Sequence, residues 1–212
     1  MSWVDGDLPQ GMNQLCLDGE DVFIHSDTTI FGEVRLGRYT IVERKSFVVG
    51  VSPLEIGAFC VLGEGFHCHT HEQHRTYLPS TYIWPDVFDL PWGQGGSLGG
   101  LDEAGKPVVP APVRIGNDVH FGRLVSVSGG VTIGDGCVLR DGCLVTKDCE
   151  PYGIYEGVPA RRVGDRCSAE VAQELIALRW WEWPLDRIRR NAEFFSLDLS
   201  EVYGSLAEFI LP

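Results

Sequence analysis

Residues 115–149 read IGNDVHFGRLVSVSGGVTIGDGCVLRDGCLVTKDC. Every sixth residue from Ile115 is apolar: Ile115, Phe121, Val127, Ile133, Leu139 and Val145. A second series runs in phase with it: Val119, Val125, Val131, Cys137, Cys143 and Cys149, all small or β-branched. A period of six fits neither an amphipathic helix nor simple strand alternation. It marks a hexapeptide-repeat β-solenoid, in which each hexad is a short strand plus a corner and three hexads close one triangular coil. Positions one and five then point inward. Gly116, Gly122 and Gly134 occupy position two, where a tight corner is expected to need a backbone conformation that a Cβ penalises.

The count continues upstream. Ile30, Leu36, Val42 and Val48 are spaced by six. A two-residue insertion around Gly50–Leu54 shifts the phase, and Ile56 and Leu62 resume it with Gly57 and Gly63 at position two. The expected fold is an all-β solenoid of about four coils, roughly 20 Å tall at the usual strand spacing. So short a column has open ends that call for caps or partners. The expected organisation is an N-terminal segment (1–29), the solenoid (30–150) and a C-terminal helical appendage (151–212). In the appendage, Ser168 suits a helix N-cap, and Val171, Leu175 and Leu178 follow at helical spacing. That helix is expected to cap the open end and cover neighbouring coils, with Trp180, Trp181 and Trp183 as packing residues.

A net charge of −13 argues against a nucleic-acid partner. No apolar run reaches the roughly 18 residues of a membrane span. Met1 to Leu17 lacks a basic start followed by an apolar stretch, so no signal peptide is expected and a cytoplasmic location is the simplest reading. Of the seven cysteines, Cys60, Cys137, Cys143 and Cys149 fall at position five and read as core. Cys16, Cys68 and Cys167 have no paired spacing, and the odd count disfavours a disulfide framework.

From 68 to 112 the period is lost. This excursion is rich in Pro, Gly, His and aromatic residues, and so long an insertion is usually functional or disordered. Four of the six histidines (His67, His69, His71 and His74) open it. In an extended segment the first three share a face and suit zinc. A single catalytic base with bystanders is the second reading, and solvated loop histidines the third. Glu72 is the sole acid close by, and no Cys or carboxylate pair stands at ligand spacing, so catalysis is favoured over metal. Ligands assembled across a trimer interface keep the metal reading open.

Several stretches together resemble the xenobiotic acetyltransferases, hexapeptide-repeat enzymes that acetylate chloramphenicol or streptogramins. They are Leu62-Gly63-Glu64-Gly65, His74-Arg75 with Ser80-Thr81-Tyr82, Ile115-Gly116-Asn117-Asp118-Val119, Val145-Thr146-Lys147-Asp148, Gly157-Val158-Pro159-Ala160 and Trp180-Trp181-Glu182-Trp183-Pro184-Leu185-Asp186. The resemblance implies a left-handed parallel β-helix that assembles as a homotrimer, with acetyl-CoA in the groove between subunits. It implies a loop His as general base: His74 matches, with His71 second. It implies cofactor contacts at Arg123, Asp141, Thr146, Lys147 and Arg161, and acceptor contacts at Tyr82 and His120. Arg162 and Arg166 either extend the basic patch or are solvated surface. The chain departs from the pattern at His120, where the family usually has Trp. It also carries Arg123, Arg140 and Asp141, where small residues are expected. Other readings are a sugar or polysaccharide acetyltransferase of the same fold, a silent scaffold solenoid, and a metal-dependent hydratase resembling the γ-class carbonic anhydrases.

Overall fold

Both sixfold series are buried along their whole length, from Phe121 and Leu139 at 0% exposed to Cys149 at 5%. The computed structural model describes residues 8–17, 20–70, 112–199, 202 and 204–211. The inward side chains form one continuous core with Val42, Val48, Ile56 and Leu62 from the upstream hexads. Residues 18 apart stack directly, as Asn117 does on Asp135, so three hexads make one coil.

β1 (Met12–Leu17) and β2 (Glu20–His25) form an antiparallel hairpin. β2 then begins the first face of the solenoid. It is followed in parallel by β4 (Ile41–Val42), β6 (Val61–Leu62), β9 (His120–Phe121), β12 (Val138–Leu139) and β14 (Gly153–Glu156). The second face holds the early halves of β3 (Thr29–Leu36) and β5 (Phe47–Ile56), then β7 (His67–His69), β10 (Ser126–Ser128) and β13 (Leu144–Val145). The third holds the later halves of β3 and β5, then β8 (Val113–Ile115) and β11 (Thr132–Ile133), with Cys149 bridged to Ile133. The result is a parallel solenoid of about five turns rather than four. The extra turn comes from Phe23 and Ile24, which pair with Ile41 and Val42 upstream of the first sixfold repeat.

Antiparallel strands close the first face at both edges: β1 at one end and β15 (Arg161–Asp165), paired with β14, at the other. Each hairpin covers a row of backbone donors and acceptors that an open sheet edge would expose.

The position-two glycines need room rather than an unusual conformation. A Cβ on Gly57 would sit 2.5 Å from the Gly116 carbonyl oxygen of the next coil, a distance real Cβ atoms do not show. The left-handed backbone falls instead at position four: Tyr39, Lys45, Phe59, Asp118, Leu124 and Tyr152 all have φ between 55° and 58°. Position three also has a task. The Asp135 carboxylate accepts the Asn117 backbone N–H at 2.7 Å, and Asp141 accepts that of Arg123 at 2.9 Å. At position five, Thr40 Oγ1 donates to the Gly57 carbonyl at 2.7 Å and Cys60 Sγ to that of Gly116 at 3.2 Å. Thiols suit this site because they are small and still donate.

The wall runs further into the expected excursion than the hexad count suggests. β7 pairs with Phe47–Val49 on one side and Ser126–Ser128 on the other. Cys68, six residues after Leu62, is a core residue at 0% exposed, and Thr70 is buried with its hydroxyl on Val49 and Ser52.

The appendage contains α1 (Ala169–Leu178) and α2 (Leu185–Arg190). Ser168 Oγ accepts the Val171 N–H at 3.3 Å, the expected N-cap. The helical part of the appendage does not close the end of the solenoid, which β14 and β15 at the start of the same 151–212 segment cover. It lies along the corner between the third and first faces. Its tryptophans Trp180, Trp181 and Trp183 form a second core with Tyr152, against which Ala58 and Phe59 of that corner pack. Arg38 donates to the Trp181 carbonyl at 2.6 Å and that of Trp183 at 2.5 Å, over the Phe59 ring.

Candidate functional site

Position six of a first-face hexad points outward. That outward row reads Ile41, Val61, His120, Val138 and Ile154, since these residues pair in register across β4, β6, β9, β12 and β14. The inward neighbours Val42, Leu62, Phe121 and Leu139 are fully buried. His120 is therefore the single ionisable member of an apolar row, and its side chain is exposed.

His120 lines a groove of about 630 Å³ with Gly122, Val138, Arg140, Asp141 and Glu156. Around the next corner lies a groove of about 680 Å³ lined by Lys45, Glu64, Gly65, Arg123, Leu124 and Asp141. Asp141 borders both. Coil stacking turns this corner into a ladder of alternating charge. Lys45 reaches Glu64 at 2.9 Å, Arg123 reaches Asp141 at 3.0 Å, and Arg140 reaches Glu156 at 2.7 Å. Below them, Asp27 accepts the Lys45 backbone N–H at 3.0 Å and pairs with His25 Nδ1 at 2.5 Å. Of these corner partners, Arg123, Arg140 and Asp141 stand out in the sequence, but His25, Asp27, Lys45 and Glu156 do not. The signal was present, because an offset of 18 residues joins Asp27 to Lys45 and Arg123 to Asp141.

The electrostatics follow these contacts. The Arg123 backbone N–H and guanidinium hold the Asp141 carboxyl below its usual range. Lys45 does the same for Glu64. Half-buried Asp118 goes the other way: burial pushes its carboxyl up, against the pull of Arg166 at 2.8 Å. Arg166 also donates to the Gly136 carbonyl at 2.9 Å, so it fastens the appendage to the solenoid. Arg162 pairs with Asp165. Neither arginine is a free surface cation.

Of the expected site residues, the structure brings Arg123, Asp141 and His120 to one corner. Thr146 and Lys147 are exposed at the end of β13, and Arg161 is exposed at the start of β15. None of these three lines the His120 groove. His74, His71 and Tyr82 lie outside the described residues. His67 and His69 both belong to β7, and the His67 ring stacks on Phe47 at a centroid distance of 5.4 Å. No helix among the described residues is long and apolar enough to cross a membrane.

Residues 112–147 match the family model described as bacterial transferase hexapeptide (six repeats). The chain is 35% identical over 142 residues to a chloramphenicol acetyltransferase of Agrobacterium fabrum, covering 66% of this chain and 65% of that protein. It is 34% identical over 145 residues to a probable macrolide acetyltransferase of Lysinibacillus sphaericus, covering 68% and 77%. The match to the Agrobacterium protein thus spans just under two thirds of that protein's length. Among solved structures, AntD, an N-acyltransferase from Bacillus cereus in complex with dTDP and 3-hydroxybutyryl-CoA, shares the fold. It has a TM-score of 0.51 at 18% identity, over 74% of this chain and 87% of that one. By these relationships the chain belongs to the hexapeptide-repeat acetyltransferases that include the chloramphenicol and macrolide enzymes.

Proposed function

We propose that this protein is an acetyl-CoA-dependent O-acetyltransferase acting on a hydroxyl of a small acceptor, as a homotrimer with sites between subunits. The observation that carries the reading is the 34% identity to a probable macrolide acetyltransferase over 77% of that protein's length. Bound acetyl-CoA supplies an activated thioester. The described residues suit such a ligand. The groove beside His120 has an apolar floor at Val138. Lys147 and Arg161 are exposed cations with no carboxylate partner among the described residues, as phosphate groups require. The reading assigns acetyl-CoA to Arg123, Asp141, Thr146, Lys147 and Arg161, and the acceptor to Tyr82 and His120.

A hydroxyl is a poor nucleophile at neutral pH, so a base must take its proton as it attacks. An imidazole, with an ordinary pKa of about 6.5, is suited to that work. The reading gives the role to His74, with His71 as runner-up. The test is thiol release from acetyl-CoA by the purified protein, with chloramphenicol, streptogramins, macrolides and amino or deoxy sugars as acceptors. Turnover with an antibiotic supports the reading, turnover with sugars alone moves the acceptor class, and no CoA binding at millimolar cofactor overturns it. His74→Ala is expected to keep CoA affinity and lose about 100- to 10,000-fold in kcat. If His74→Ala turns over normally, the base is another residue.

A further inference from the structure

We infer that His120 is a second proton-handling residue of this site, donating a proton to the sulfur that leaves the thioester. The inference rests on the acetyl-transfer reading above. Three observations carry it. First, the other ionisable side chains lining the His120 groove are all committed: Arg140 to Glu156 at 2.7 Å, and Asp141 to Arg123 at 3.0 Å. The His120 ring makes no hydrogen bond among the described residues and is exposed to the groove. Second, its place in the outward row asks for no imidazole, since Ile41, Val61, Val138 and Ile154 fill the equivalent positions. Third, the surrounding charge nearly cancels. Asp118 on the preceding corner is held by Arg166, Asp141 and Arg140 come from the coil above and Glu156 from the one beyond it, with Arg123 behind Asp141. His120 acts electrostatically on both Asp118 and Asp141.

The acceptor oxygen forms a bond to the thioester carbonyl carbon while the loop base takes its proton. The carbon–sulfur bond breaks and its electron pair goes to sulfur, which takes the proton from the His120 imidazolium. Solvent then removes the proton from the base and restores the one on His120, leaving ester and thiol. A protonated imidazole is a stronger acid than a thiol of ordinary pKa near 8.5, so the transfer runs downhill.

The experiment compares the wild-type protein with His120→Gln and His120→Asn. It measures kcat and KM for acetyl-CoA from about pH 6 to 9, a range that brackets imidazole and thiol titration. CoA affinity is read by calorimetry and folding by thermal melting. Because His120 is exposed, both variants are expected to melt with the wild type. The expected result is a fall in kcat of roughly 10- to 100-fold, at or below the low end for acid–base catalysis because a thiolate leaves readily unaided. KM and CoA affinity should stay within about threefold, since the lost interaction belongs to the transition state. The wild-type pH profile should be bell-shaped, and the variants should lose its alkaline limb. Unchanged kcat, a retained alkaline limb, or a loss confined to CoA affinity in both variants overturns the role of His120 while leaving acetyl transfer intact. A wild-type protein that acetylates no acceptor overturns the acetyl-transfer reading, and the role of His120 falls with it.

Discussion

Leu124 holds a left-handed backbone, with φ of 58°, while its side chain is 68% exposed. That conformation costs an L-residue roughly 1–2 kcal/mol, whereas Gly adopts it freely. Leu124→Gly is expected to stabilise the protein by about 0.5–1 kcal/mol, after the larger entropy Gly loses on folding is subtracted. Gly57→Ala has the opposite sign, because its Cβ would meet the Gly116 carbonyl oxygen at 2.5 Å. Overpacking of that kind costs about 1–3 kcal/mol. Urea titration of both variants measures the two effects. The thiols divide by place as well. Burial pushes Cys60, Cys68 and Cys149 up to about 12 and Cys137 to about 11, while Cys16 is exposed. Alkylation of the native protein at mildly alkaline pH, read by mass spectrometry, should label Cys16 first and spare these four thiols and the equally buried Cys143 until denaturant is added.

Charge at the corner between the first and second faces is organised by coil stacking. Partial desolvation raises Asp27, but the Lys45 N–H and His25 bring it net below its usual value; Lys45 lowers Glu64, and the Arg123 N–H lowers Asp141. A carboxylate lowered in the folded state adds stability above its unfolded pKa, and that stability is lost as pH falls through the folded value. The ladder should therefore weaken below about pH 4, the ordinary carboxylate range, and not on the alkaline side. Melting curves taken across that window at low and high salt check it. Salt should shrink the difference, because these pairs are exposed and screened. A melting temperature flat across the acid window would mean that the ladder adds no stability.

The described residues form two cores joined at one corner, the solenoid core and the tryptophan core of the appendage. Arg38 is one polar tie, through the Trp181 and Trp183 carbonyls, beside that of Arg166 to Asp118 and Gly136. Hydrogen bonds from a charged donor contribute about 1.5–3 kcal/mol, so Arg38→Ala should destabilise by roughly 2–4 kcal/mol once the lost packing on Phe59 is included. Near-ultraviolet circular dichroism should report the tryptophan core loosening before the strand signal is lost. Coincident loss of both signals would mean that the two cores unfold as one.

The repeat was legible from residues 115–149 because burial in a solenoid follows a local period. Each hexad buries positions one and five whatever lies above it, so the core, the structural role of the position-five cysteines and the break in the chain could all be counted. The same count, carried one step past Leu62, reaches Cys68. Other features depended on how coils stack. The position-two glycines are required by a neighbour in the next coil, and Arg123 and Asp141 hold each other because 18 residues make one turn. The appendage lies beside a corner rather than over an end because Phe59, Asp118 and Tyr152, far apart in the chain, form one surface there. The His120 groove belongs to this second kind. The sequence by itself determined the wall, since its pattern is written every six residues. Only the tertiary structure decided which charges on that wall are spent on each other and which imidazole is left free, since those partners meet through coils a full turn apart.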